Sequence, residues 1–318
     1  MSSSRREFIR NTSLLAGGIG LKIKTHSNKK YRTNEEGDRL VLLGTQGGPV
    51  IRSYHQTPSA SLIVHNKIPV VIDAGYGVTL KLKEAGINLS QLKYIFITHH
   101  HSDHNLELGT LLYNAWVSGL SEPVNVYGPI GLNSLLKYYW KSNEYDIDVR
   151  IKDEARFDIR ELVITHEYSE GEILSTGDFE INSLKNIHPP VAESYALSFK
   201  FDRKKIVFSG DTAYFPALAA FASGADYLIH EAMYPAAVEE MAKRRPNAPK
   251  LKASILSHHT SAEDAGKIAG AANVKNLILN HFVPPDDKSL TEEVWINSAR
   301  KNFQGNIIIG KDLLQFAL

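Results

Sequence analysis

Residues 98–104 read Thr-His-His-His-Ser-Asp-His and follow the apolar run 94–97. Imidazole and carboxylate are what Zn²⁺ takes where no thiolate is offered, and this chain has no cysteine. Along an extended backbone side chains alternate, so His99 and His101 point the same way and His100 the other, into packing or solvent. A helix expected from residue 105 to 117 turns the chain sharply and brings Asp103 and His104 round to the same space. One short segment can then offer ligands to two adjacent cations. A chance run of histidines in a surface loop gives no reason for a carboxylate directly before the last imidazole, or for its place between strand and helix.

Later segments repeat the design of an apolar strand that ends in a metal-competent group. The run 179–187 ends at His188, 205–208 at Ser209-Gly210-Asp211-Thr212, 227–229 at His230-Glu231 and 277–280 at His281. Each alone reads as a hydrogen-bonded structural residue. Together they supply groups that a sheet would deliver to one rim.

The elements that must position these groups are legible as short apolar runs bounded by Gly, Pro, Asn and Asp. Strands are expected over 40–43, 61–64, 70–72, 94–97, 124–127, 179–186, 196–201, 205–208, 227–229, 276–279 and 306–309. Helical periodicity is expected over 77–85, 106–117, 132–140, 213–222, 262–271 and 292–301. Strands adjacent to strands, with helices between, predict an α/β protein of packed sheets covered by helices. Residues 142–176 are charged and weakly patterned, and are expected to form an excursion near the site entrance. Pocket walls are expected from 48–58, 214–215 and 142–176.

The 318 residues, 43% of them hydrophobic, suit one large domain or two small ones. No apolar run reaches the roughly 20 residues needed to span a bilayer, so no stable membrane anchor is expected. Ser4-Arg5-Arg6-Glu7-Phe8-Ile9-Arg10, followed by the mildly apolar stretch 14–21, resembles a bacterial twin-arginine export signal. It implies a signal and linker over 1–35, a domain over 36–318, and a periplasmic protein. Residues 1–30 hold seven basic residues against Glu7 alone, while the whole chain is +1, so the body is net acidic. A net acidic body argues against gripping a polyanion, because nucleic-acid affinity comes largely from neutralising phosphates.

The ordered motifs from about residue 38 to 285 resemble the metallo-β-lactamase superfamily of dinuclear zinc hydrolases. The resemblance implies an αββα sandwich of two mixed sheets with helices on the outer faces. It also implies two Zn²⁺ or other divalent transition metals, one held by His99, His101 and His188, the other by Asp103, His104 and His281, with Asp211 bridging. A hydroxide between such cations is the nucleophile this implies, and Asp103 would orient it. Within the superfamily the likeness is to the ribonuclease Z and arylsulfatase-like branch. It rests on Leu43-Gly44-Thr45-Gln46-Gly47-Gly48-Pro49, Ser209-Gly210-Asp211-Thr212, His230-Glu231-Ala232 with Met233 where the branch has Thr, and His259-Thr260-Ser261-Ala262. That branch implies that Glu231 and His259 pair to protonate the departing oxygen, with the carboxylate keeping the imidazole charged. His258 is out of register with the motif, and His26, His55, His65 and His166 are assigned no role.

Two hydrolase readings follow, with a catalytically silent zinc-binding scaffold as a third, disfavoured by the intact ligand set. The one preferred on sequence is an exported hydrolase of small sulfate or phosphate esters, in a branch where homodimers are common. The other is a ribonuclease Z-type endonuclease that trims transfer RNA. The export-like segment, the acidic body and the lack of a Gly/Lys-rich insertion favour the small ester and make nucleic acid an unexpected partner.

Overall fold

A computed structural model describes residues 37–52, 56–285 and 287–318 of the chain. The twin-arginine-like segment, His26 and His55 lie outside the described residues. The fourteen strands are Arg39–Gly44 (β1), Ala60–His65 (β2), Ile68–Ile72 (β3), Tyr94–Phe96 (β4), Val124–Pro129 (β5), Val163–Tyr168 (β6), Gly171–Ser175 (β7), Glu180–Lys185 (β8), Tyr195–Phe201 (β9), Lys204–Phe208 (β10), Tyr227–Met233 (β11), Asn276–Val283 (β12), Asn306–Ile309 (β13) and Leu314–Ala317 (β14). They form two seven-stranded sheets, in the orders β14-β1-β2-β3-β4-β5-β6 and β13-β12-β11-β10-β9-β8-β7.

Period-two alternation of apolar side chains builds the layers. In β1, Leu40 and Leu42 face the space between the sheets while Val41 and Leu43 face the helices. In β12, Ile278 faces inward and Leu277 and Leu279 outward. The inner layer is rich in rings, with Phe96, Tyr127, Phe199 and Phe208 among them. Phe96 stacks on Tyr127 and meets Phe199 edge-on. Helices such as Leu108–Val117 cover the first sheet and Ala262–Ala272 and Glu292–Arg300 the second. The result is the αββα sandwich of two mixed sheets. In each sheet an antiparallel half (β1-β2-β3, β8-β9-β10) runs into a parallel half (β3-β4-β5-β6, β10-β11-β12-β13).

This topology positions the site. Parallel strands expose their carboxyl ends on one rim, the usual place for ligands in α/β sheets. β3, β4 and β10 end there, shortly before Asp73, Thr98-His99 and Asp211, and β11 and β12 carry Glu231 and His281 two residues before their ends.

The stretch 142–176 departs from expectation. It forms the helices Glu144–Glu154 and Ile159–Leu162 and the strands β6 and β7, and none of its residues lines the cavity at the site. Its charges are answered locally: Arg150 pairs with Asp146 and Glu154, one turn away on either side. Among the described residues no helix is long and apolar enough to cross a membrane.

Candidate metal centre and its acid–base neighbour

His101 has extended φ −79°, ψ 150°, and the helix Ser102–Asn105 begins at the next residue. The strand end therefore aims His99 and His101 together, and the helical turn swings Asp103 and His104 in beside them. His99 Nε2 and His188 Nε2 lie 3.2 and 3.0 Å from His101 Nδ1. Three imidazole nitrogens facing one another cannot all be donors and acceptors in turn. A tetrahedral cation with bonds of about 2.0–2.1 Å sets its ligands about 3.3 Å apart, so the triangle fits one ion.

The second group is Asp103, His104 and His281. His281 Nε2 is 3.3 Å from Asp103 Oδ2, and His104 Nε2 is buried without a hydrogen-bond partner. Asp211 stands between the groups. Its Oδ2 is 3.1 Å from His281 Nε2, 3.3 Å from His104 Nε2, 3.8 Å from His99 Nε2 and 3.9 Å from His188 Nε2. All seven side chains named from the sequence thus meet in two adjoining sets, His99-His101-His188-Asp211 and Asp103-His104-Asp211-His281. An orphaned buried imidazole nitrogen and a purely nitrogen and oxygen donor set fit a pair of divalent transition cations.

Without such cations, protons must balance the buried carboxylates. Burial raises the Asp211 and Asp103 pKa values, but the imidazoles of His281 and His104 outweigh it and hold both carboxylates well below their usual range. Burial lowers His281, yet Asp211 and then Asp103 bring it up to about 10. His188, buried and touched only weakly by the carboxylate, falls to about 4.

Two backbone irregularities aim these groups. β11 and β12 slip register between Glu231–Asn280 and Ala232–Phe282, leaving His281 as the extra residue of a β-bulge with φ +46°. Strict alternation after inward Ile278 would send His281 outward to the helices; the bulge turns it into the site instead. Gly47 packs against it. A Cβ there would lie 2.6 Å from Val283 Cγ2 and 3.0 Å from His281 Nδ1, so only glycine fits.

Asp73 was not among the residues singled out from the sequence. It accepts from His104 Nδ1 at 2.7 Å and from the Thr98 backbone N–H at 2.8 Å, at a left-handed φ of +61°. A carboxylate behind a metal-binding imidazole fixes its tautomer and orientation. Asp73→Asn should weaken zinc affinity by ~10–100-fold with the fold intact; unchanged affinity in a chelator competition assay would remove Asp73 from this role. The clue in the sequence was an acid directly after the apolar run 70–72, the same signature that marked the other strand ends. His188 is oriented likewise, its Nδ1 donating to the His258 carbonyl at 2.9 Å. His100 faces away, to the Pro129 carbonyl and Asn105. His166 stacks on Tyr127, and His65 pairs with Asp38.

Beside the second donor set, His259 Nδ1 meets Glu231 Oε2 at 2.7 Å. Glu231 is fixed by the Thr212 backbone N–H on its other oxygen. The 259–261 segment is tied to β11 by Met233 N–H donating to the Thr260 carbonyl, and Ser261 caps the helix Ala262–Ala272. His259 therefore sits at a helix start and faces the site at once. Burial raises Glu231, helped by the charge of Asp211, and burial lowers His259 to about 4. Burial thus works against charge on both members of this pair.

The residues 56–259 match the family model of the metallo-beta-lactamase superfamily. This chain belongs to that superfamily. Ribonuclease Z of Mycobacterium marinum is 29% identical over 277 residues, covering 86% of this chain and 96% of that protein. Ribonuclease Z of a Mycobacterium species (strain KMS) is 30% identical over 276 residues, covering 86% and 94%. Among solved structures, the metallo-beta-lactamase fold protein YhfI of Bacillus subtilis superposes with a TM-score of 0.66 at 21% identity, covering 88% of this chain and 99% of that one. Human tRNase Z, short form, gives 0.63 at 20% identity, covering 88% and 98%.

These relatives overturn two expectations. The preference for an exported hydrolase of small sulfate or phosphate esters gives way, because relatives matched over nearly their whole length are named ribonuclease Z. The exclusion of nucleic acid falls with it. Net charge misled, since a polyanion responds to the local field at the site. Residues 235–258, which border the cavity, hold five cations (Lys243, Arg244, Arg245, Lys250, Lys252) against Glu239 and Glu240.

Proposed function

We propose that the protein is a divalent-metal-dependent phosphodiester hydrolase of the ribonuclease Z type, trimming the 3′ end of precursor transfer RNA. The observation that carries this reading is one cavity whose floor holds His101, Asp103, Asp211 and His281 of the donor sets together with His259. The names of the full-length relatives point to the substrate. His99, His101 and His188 would hold one cation, Asp103, His104 and His281 the other, with Asp211 shared. What such cations supply is a lowered pKa for water and neutralisation of charge growing on phosphate oxygens.

The chain's own groups do the rest. Asp103 receives the Gly48 backbone N–H on Oδ2 at 2.8 Å, which fixes the carboxylate at the cavity floor. Glu231 holds His259 Nδ1, leaving Nε2 as the nitrogen able to exchange a proton with the departing oxygen. The two donor sets lie at most 6% exposed apart from His101, so bulk water is largely kept out.

Zinc-loaded protein should cleave a precursor transfer RNA carrying a 3′ trailer, and transfer RNA should compete with bis(4-nitrophenyl) phosphate. Turnover of the nitrophenyl diester with no RNA cleavage and no competition would reject the RNA reading and keep the hydrolase.

A further inference from the structure

Above the donor sets lies a slot of about 310 Å³. Its lining includes an apolar wall of Met241, Leu251, Ile255 and Val283, and also the loop 47–50. Met241, Leu251 and Ile255 come from the helices Pro235–Lys243 and Leu251–His258, which pack on each other, and Val283 from the end of β12. Met241, Ile255 and Val283 join Met233 and Val238 in a small apolar cluster separate from the three layers of the sandwich. The wall is therefore a built surface, anchored independently of the main core. The loop 47–50 is held as firmly: the buried Gln46 side chain donates to the Gly48 and Val50 carbonyls at 2.9 and 2.8 Å. Val50 and Ile51 leave apolar surface there, 48% and 74% exposed. Arg245, half-buried, lines the mouth. Its guanidinium has no hydrogen bond or ion pair among the described residues.

We propose that this slot receives one unstacked nucleobase next to the scissile phosphodiester, and that Arg245 meets the next phosphate along the chain. The inference rests on the phosphodiesterase reading of the site below. Three physical facts favour it. The volume is at the small end for ligand pockets, enough for one ring system and its ester but not for a base pair. An apolar lining suits a π-face, and the Met241 thioether is polarisable and adaptable against a ring. Single-stranded RNA is recognised by splaying bases onto such surfaces while cations track the backbone.

The test is calorimetric titration of the full-length, zinc-loaded protein with uridine 5′-monophosphate, ribose 5-phosphate and hexyl phosphate. All three carry the same phosphate for the cations, and only the first carries a base. The nucleotide should bind ~10–100-fold more tightly than either of the others. Ile255→Trp, which fills the slot, should bring that ratio to about one. Leu251→Asp, on a half-buried position of the wall, should do the same if the first variant unfolds. Arg245→Gln should leave uridine 5′-monophosphate unchanged and weaken uridine 3′,5′-bisphosphate by ~10-fold. Equal binding of nucleotide and ribose 5-phosphate would overturn the proposal, as would a ratio that survives in a folded wall variant. Hexyl phosphate binding as tightly as the nucleotide would reduce the slot to an unspecific apolar cleft and also overturn it. If RNA and diesters are not hydrolysed at all, the function reading fails while these binding ratios still decide the slot.

Discussion

Asp211→Ala should lower bound zinc from about two equivalents per chain to one or none, and slow phosphodiester hydrolysis by ~10³-fold or more. Among the described residues Asp211 is the one side chain whose oxygen reaches nitrogens of both donor sets, from 3.1 Å at His281 to 3.9 Å at His188. Removing it strips a negative charge from among four imidazoles in a site without bulk water, where repulsion between neighbouring cations is no longer offset. The measurement is elemental analysis of protein purified in zinc, alongside turnover of a diester. A variant that keeps two equivalents and near-native turnover would show that the ions do not share Asp211. Asp211→Asn separates shape from charge: it keeps the volume, and should lose metal nearly as severely.

His259→Ala should slow diesters with alkoxide leaving groups by ~10²–10⁴-fold, and nitrophenyl diesters far less. A ribose oxygen departs poorly as an anion and needs a proton; nitrophenolate is stable without one. The 2.7 Å bond from Glu231 Oε2 orients the ring, so Glu231→Gln should show the same leaving-group pattern in weaker form. An equal loss on both substrates would assign His259 to binding or to structure. Such a structural role has a concrete form, because His259 directly precedes the Thr260–Ser261 segment that starts the helix Ala262–Ala272. Thermal melting of His259→Ala would register it.

Much of the site was legible because its signals are local. His99, His101, Asp103 and His104 sit within six residues, and a strand followed by a helical turn is enough to converge them. His188, Asp211, Glu231 and His281 were legible as polar groups closing apolar runs. Asp73 closes such a run too, but one carboxylate before Ala74-Gly75 reads as an ordinary turn. Its purpose emerges only from contacts with Thr98 and His104, 25 and 31 positions away. The aim of His281 was hidden as well, since alternation alone points it to the wrong face and the bulge comes from pairing with β11.

The layers followed from period-two patterning, and the edges did not. β7 and β14 have half-exposed, mixed sequences that gain strand character from their neighbours β8 and β1. The helix pair spanning residues 235–258 also escaped notice, although Pro235 at the first helical position and the run Ala-Ala-Val-Glu-Glu-Met-Ala-Lys carry the usual marks of a helix start. This pair carries the basic residues Lys243, Arg244, Arg245, Lys250 and Lys252 beside the cavity.

The donors come from both halves of the sandwich. His99, His101, Asp103 and His104 follow strand β4 of one sheet, while His188, Asp211 and His281 belong to strand ends of the other. Ions seated there would act as a cross-link closing a stretch of roughly 180 residues, tying the sheets at one rim much as a long-range disulfide would. Uptake of metal and completion of the fold are then a single equilibrium, and cation at ~1,000 times its dissociation constant adds about 4 kcal/mol to the native state. A chelator would loosen the whole molecule, not merely silence its chemistry.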